Sequence, residues 1–272
     1  IFFIFLLSLT HLNSQSLIDC NSNLSIFAEY YKVKNYEAAY EPWMSVRKEC
    51  PKINPAIYFQ GSRMLDEFIK NSDGELKVSY QNDLLNLYDE WLINFPAYNG
   101  RSIVGQIMSN KAQKMFDYKL ASKSEIYNLF ENAYQTDPVS FDDPKPLYTY
   151  FKTYFELYKE GNSEITLSEI FNKYEELDER YNSIIDEYSK QIDIIINKEN
   201  SGVALTSREK RNKRVYEINS NASNIYLRNL NAIIAKESTC ENLIPLYQKN
   251  LEENKTNPVW LNRAASRMDS KE

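Results

Sequence analysis

Three segments of this 272-residue chain share one spacing: a small or apolar residue, an aromatic four positions on, an apolar residue three further, and Pro five after that. They are Ala39, Trp43, Val46, Pro51; Leu84, Tyr88, Trp91, Pro96; and Ile126, Phe130, Ala133, Pro138. Steps of four and three place the first three members on one helix face. The Pro cannot continue the helix, so the chain must turn there. A helix pair of this size cannot bury its apolar face alone. Repetition of the pattern therefore predicts helix pairs stacked on their neighbours.

The rest of the chain also carries apolar residues at intervals of three and four, without a useful run of strand-like alternation. Helix starts are marked by Asn54-Pro55 and Asn257-Pro258, each a capping residue before a Pro at the first helical position. Ser122 with Glu125, Thr166 with Glu169, and Ser238 with Glu241 are candidate capping boxes. The fold class is all-α.

These residues resemble the tetratricopeptide repeat, whose second helix has the small residue, the aromatic and the closing Pro at this spacing. The first unit matches best, with Ile26, Phe27, Tyr30 and Tyr31, then Tyr36-Glu37-Ala38-Ala39, Trp43 and Pro51. In the second, Tyr58 and Gly61 stand where the family's first helix has its aromatic and its small residue. The Pro-to-Pro intervals are 45 and 42 residues, against about 34 in the family. Loops such as Asn71 to Gly74 and Tyr118 to Lys123 have room for the excess. The resemblance covers residues 21–160 and resumes weakly at 240–270. Within the family, the composition and export signal look like secreted repeat proteins of flavobacteria-type bacteria. It implies a solenoid of antiparallel helix pairs whose concave groove holds a peptide or helix of a protein partner.

After Pro146 the pattern changes. Leu147, Phe151, Tyr154 and Tyr158 mark one helix, ended at Gly161-Asn162. Leu167, Ile170, Tyr174, Leu177, Tyr181, Ile184, Tyr188 and Ile195 then keep a three-four rhythm. A second run, Val215, Ile218, Ala222, Ile225 and Ile233, follows the loop at Asn200-Ser201-Gly202. Two long antiparallel helices are expected, a coiled-coil-like hairpin. The division follows: 17–160 repeats, 161–237 hairpin, 238–272 the start of a further repeat, truncated at Glu272.

The N-terminus opens on an uncharged apolar run, residues 1–10. It is too short to span a membrane and fits the apolar core of a secretory signal, with cleavage placed after Ser16. A lipoprotein signal also ends in Cys, and Cys20 would be that residue, although Asp19 is not the small neighbour such a signal wants. An exported protein is expected: periplasmic, outer-membrane-associated as a peripheral protein, or extracellular. Export permits disulfides. Cys20 opens the first helix of the first pair and Cys50 closes the second, so a bridge between them is expected. Cys240 is left over, and its partner is expected beyond Glu272.

One His in the whole chain, His11, leaves almost nothing for a Ser-His-Asp triad, a Cys-His dyad or a His-ligated metal. With no phosphate loop or nucleophile motif, no catalytic residue, cofactor or metal ligand is assigned, and the protein is expected not to be an enzyme. Asp142 with Asp143, and Glu175, Glu176, Asp178 and Glu179, are the carboxylate groups available to a glycosidase, and are read as solvated charge. The net charge of −6 argues against nucleic-acid binding. The sharpest charge feature is Arg208, Lys210, Arg211, Lys213 and Arg214, a candidate patch for an anionic partner or a helix face balanced by Asp193, Glu199 and Glu209. The aromatic density at Tyr148, Tyr150, Phe151, Tyr154, Phe155 and Tyr158 reads as inter-helix packing or as a carbohydrate- or peptide-binding face. A non-enzymatic scaffold for protein–protein interaction is the expected function. A glycan-binding or glycan-processing envelope protein is the alternative.

Overall fold

The computed structural model describes residues 7–269. Its helices pack as neighbouring pairs, an all-α helical-repeat fold. The chain forms two compact units that divide between Tyr118 and Lys119. The first six residues of the apolar N-terminal run lie outside the described residues.

The first unit holds α1 (Leu7–Lys32), α2 (Tyr36–Glu49), α3 (Ala56–Lys70), α4 (Gly74–Asn94) and α5 (Val104–Asp117). Here α1 packs on α2, α3 on α4, and α2 and α4 link each pair to the next helix. Phe27, Trp43, Tyr58, Leu65, Leu84 and Tyr88 share its core. A disulfide joins Cys20 to Cys50 with 6.2 Å between their Cα atoms. Cys50 closes α2 as expected. Cys20 does not open α1, which begins at Leu7, and stands inside it, level with the end of its antiparallel partner.

The second unit holds α6 (Lys123–Thr136), α7 (Pro144–Lys159), α8 (Leu167–Asn200), α9 (Ser207–Ile234), α10 (Cys240–Asn254) and α11 (Pro258–Asp269). The long hairpin is present: α8 and α9 have 34 and 28 residues, roughly 50 and 40 Å at the α-helical rise. α7 packs against both of them and against α6, and α10 pairs with α11.

The repeated pattern produces the same helix end three times. Cys50, Phe95 and Asp137 each precede the Pro and each donate their N–H to Val46, Trp91 and Ala133, the third member of each motif. Helical dihedrals are disfavoured for a residue before Pro, and all three caps are extended in φ, at −138°, −141° and −153°. Trp43, Tyr88 and Phe130 are all buried at equivalent positions.

One local expectation is corrected, and two local features come in addition. Thr239, not Ser238, caps α10 by accepting from the Asn242 N–H, while the Ser238 hydroxyl donates to the Ile234 carbonyl. A capping box not foreseen, Thr206 with Glu209, opens α9. A short hairpin, β1 (Ala97–Tyr98) with β2 (Arg101–Ser102), takes up part of the second Pro-to-Pro excess. Its turn needs positive φ at both central residues, which Asn99 (50°) and Gly100 (75°) adopt.

The largest correction concerns the α9 seam. The α8 residues Ile170, Tyr174, Leu177, Tyr181 and Ile184 are buried as expected. On α9, however, Val215, Ile218 and Ile225 face solvent, 45%, 56% and 48% exposed. The contacts that close the hairpin run through Tyr216, Asn219 and Asn231, reaching Tyr188 and Tyr174, with Ser223, Leu230 and Ile234 buried beside them. The tyrosines that α8 offers, Tyr174 and Tyr188, engage this aromatic and amide face of α9 rather than the aliphatic one.

Candidate functional site

In the first unit, α2 and α4 face each other across a groove. It consists of two adjoining depressions of about 470 and 360 Å³ that share Met44, Asp83 and Asn86. One wall is built on α4 by residues four apart, Asn82, Asn86, Glu90 and Asn94, which the helical period stacks along one face. Asn82 and Asn86 are exposed, and their side-chain amides make no hydrogen bond among the described residues. Each such amide can donate and accept at once.

Arg47 ties the two helices together at the groove floor. It is 7% exposed, donates through Nε (2.7 Å) and Nη2 (2.9 Å) to Glu90, and through Nη1 (2.8 Å) to Asp83. Its guanidinium carbon sits 5.0 Å from the Trp43 ring centre. Burial opposes the charge, but the Glu90 hydrogen bonds and the two carboxylates outweigh it and raise the arginine pKa. Sequence reasoning missed this site. The available trace was the four-residue ladder on α4 and an Arg one position after the apolar Val46.

The second unit contains a denser ionisable cluster. The Glu131 carboxylate accepts from the Tyr127 and Tyr150 hydroxyls and from Gln135, and Lys173 lies 3.5 Å away. Lys173 donates to the Tyr150 hydroxyl (2.9 Å), pairs with Glu176 (2.9 Å) and lies over the Tyr150 and Tyr134 rings. Burial alone would raise the Glu131 carboxyl. The bonds from Tyr150, Gln135 and Tyr127 and the Lys173 charge together hold it below the usual range. Burial, then the Glu131 contact, pushes Tyr150 and Tyr127 well upward. Every member is spent on another, so the cluster fastens α6, α7 and α8 together.

The remaining candidates fall as follows. Asp142 and Asp143 stand at the start of α7, and the Asp142 carboxyl is pushed up to about 6, first by burial and then by Asp143, against the opposing charge of Arg180. Glu175, Glu176, Asp178 and Glu179 ride on α8, where Glu176 serves Lys173. The α7 aromatics are mostly engaged in packing: Tyr150 and Phe151 are fully buried, Tyr154 stacks on Tyr127, and Tyr148 meets Tyr226. Cys240 is an exposed free thiol.

The basic run opens α9. Lys213 pairs with Glu199 at 3.1 Å, and Glu209 is taken by Lys198 at 2.5 Å as well as by the Thr206 cap. The Lys198 bond, then the Thr206 bonds, hold the Glu209 carboxyl down at about 2. Arg208, Lys210, Arg211 and Arg214 are exposed and make no ion pair among the described residues.

Among the described residues, no helix is long and apolar enough to cross a membrane. Compared with known proteins, the chain matches no family model, no curated protein and no solved structure.

Proposed function

We propose that the protein is an exported, non-enzymatic helical-repeat scaffold of tetratricopeptide type that binds an extended segment of a partner protein in the α2–α4 groove. The observation that carries this reading is the open amide ladder of Asn82 and Asn86 beside the rigid Arg47–Asp83–Glu90 cross-link. A peptide backbone offers alternating donors and acceptors, which primary amides four residues apart on a helix can satisfy in turn. Preformed walls keep the ordering cost of such a site low. The disulfide of Cys20 with Cys50 and the apolar run at residues 1–10 support export to an oxidising compartment.

The test is selection from a phage-displayed library of 12-residue peptides, followed by fluorescence anisotropy on the peptides recovered. Selected peptides should bind the wild type and lose at least tenfold in affinity with Asn82→Ala/Asn86→Ala. Peptides that bind the double variant equally well, or a selection that yields none, would overturn the reading.

A further inference from the structure

The aliphatic face that α9 withholds from the hairpin is not a random scatter. Arg211, Val215, Ile218, Ala222, Ile225 and Asn229 follow one another at steps of four, three, four, three and four. That is the heptad spacing of a coiled-coil seam. Its centre is exposed, with Ile218 at 56%, while a neighbouring face of the same helix already closes on α8 through Tyr216 and Asn219. Three large aliphatic side chains in register on a solvent-facing helix are costly to leave in water. At the N-terminal end of this seam stand Arg208, Lys210, Arg211 and Arg214, exposed and without an ion-pair partner among the described residues.

We infer that this face of α9 is a docking seam for an amphipathic helix of a partner protein, with aliphatic residues at heptad spacing and a cluster of Asp or Glu on the turns that meet Arg208 to Arg214. The charge selects the occupant. A second copy of the chain laid antiparallel would set its residues 225–232 against the basic end, and that stretch contains Arg228 and no carboxylate. A parallel copy would oppose the basic clusters to each other. A lipid surface favours a broad apolar face with Trp or Phe, whereas this seam is one residue column wide at its heptad positions and carries no aromatic. From Arg208 to Asn229 the seam measures roughly 30 Å at the α-helical rise, enough for three heptads of partner. The seam lies on α9 and shares no residue with the α2–α4 groove, so it stands whether or not the groove binds a peptide.

The experiment uses the whole chain and two synthetic three-heptad peptides with Ile and Leu at the seam positions. One has Glu at the flanking positions of its basic-facing heptad, the other Lys. By fluorescence anisotropy the Glu peptide should bind the wild type at least tenfold more tightly than the Lys peptide. Ile218→Asp, at an exposed position, should keep the helical circular dichroism of the wild type and lose at least tenfold for the Glu peptide. Arg211→Glu/Arg214→Glu should reverse the preference, and Asn82→Ala/Asn86→Ala, whose effect is confined to the α2–α4 groove, should leave the affinity for the Glu peptide as in the wild type. No binding of either peptide, equal binding by Ile218→Asp, or failure of the charge swap would overturn the inference. So would an Ile218-dependent dimer by sedimentation, or Ile218-dependent binding to phosphatidylglycerol vesicles without binding of the Glu peptide.

Discussion

The indole of Trp43 packs against the place where Gly61 has no side chain. A Cβ built on Gly61 would fall 2.5 Å from Trp43 Nε1 and 2.7 Å from two ring carbons. The ring has no room to yield, because it is fully buried and its Nε1 donates to the Ile57 carbonyl at 2.8 Å. This contact lets α2 and α3 approach closely, and so joins the first helix pair to the second.

Gly61→Ala should therefore destabilise the protein, although Ala is the better helix former by about 1 kcal/mol. Overpacking of this kind costs about 1–3 kcal/mol, so the net loss is expected near 1 kcal/mol in urea denaturation. A variant more stable than wild type would show that the indole can move.

Arg47→Ala is expected to cost about 2 kcal/mol. Removing one partner of a fully buried pair costs roughly 3–5 kcal/mol, but Asp83 and Glu90 are 25% and 40% exposed and recover part of their hydration. The same substitution should weaken peptide binding in the groove, since it frees α4 from α2. A change below about 0.5 kcal/mol would mean that the cross-link adds nothing to stability.

What could be read from the residues, and what could not, divides by how local the cause is. Trp43 with Pro51 and Phe130 with Pro138 state their own geometry: the aromatic is buried within the pair and the Pro at this spacing follows the helix end. The Cys20–Cys50 bridge was legible because an antiparallel pair brings residues 30 apart back side by side, although Cys20 stands inside α1 rather than at its start. The α9 face was not. Val215, Ile218 and Ile225 look like a core stripe on hydropathy alone, and only the partners offered by Tyr174 and Tyr188 on α8 turn Asn219 and Asn231 towards that helix instead. Arg47 was invisible for a related reason: its carboxylates, Asp83 and Glu90, are 36 and 43 residues away.

The cysteines give a direct count. With Cys20 and Cys50 bridged and Cys240 free, thiol titration of the denatured, unreduced chain should find one thiol, rising to three after reduction. Closing the 30-residue α1–α2 loop should contribute roughly 3–4 kcal/mol in the chain-entropy model. Cys20→Ser/Cys50→Ser should lower stability by about that amount and leave the titration at one in both conditions. Three thiols before reduction would remove the bridge from the account.

Asp142 makes stability depend on pH in a predictable direction. Its carboxyl is raised from 3.8 to about 6, by burial first and Asp143 second, while Arg180 works the other way and Glu187 adds a little. Between those two values the native state binds more protons than the unfolded chain. The stability this group contributes is therefore fully present below pH 3.8 and is lost as pH rises through about 6. A shift of this size corresponds to at most about 3 kcal/mol, less after solvent screening at a half-buried site. Asp142→Asn keeps the shape and removes the titration. It should be more stable than wild type at pH 8, by about 1–2 kcal/mol, and the difference should shrink towards zero at pH 4. The comparison is a pair of urea denaturation series at pH 4, 5, 6, 7 and 8. A variant less stable than wild type at pH 8 would show that the ionised carboxylate is a net stabilising partner of Arg180, contrary to the burial argument.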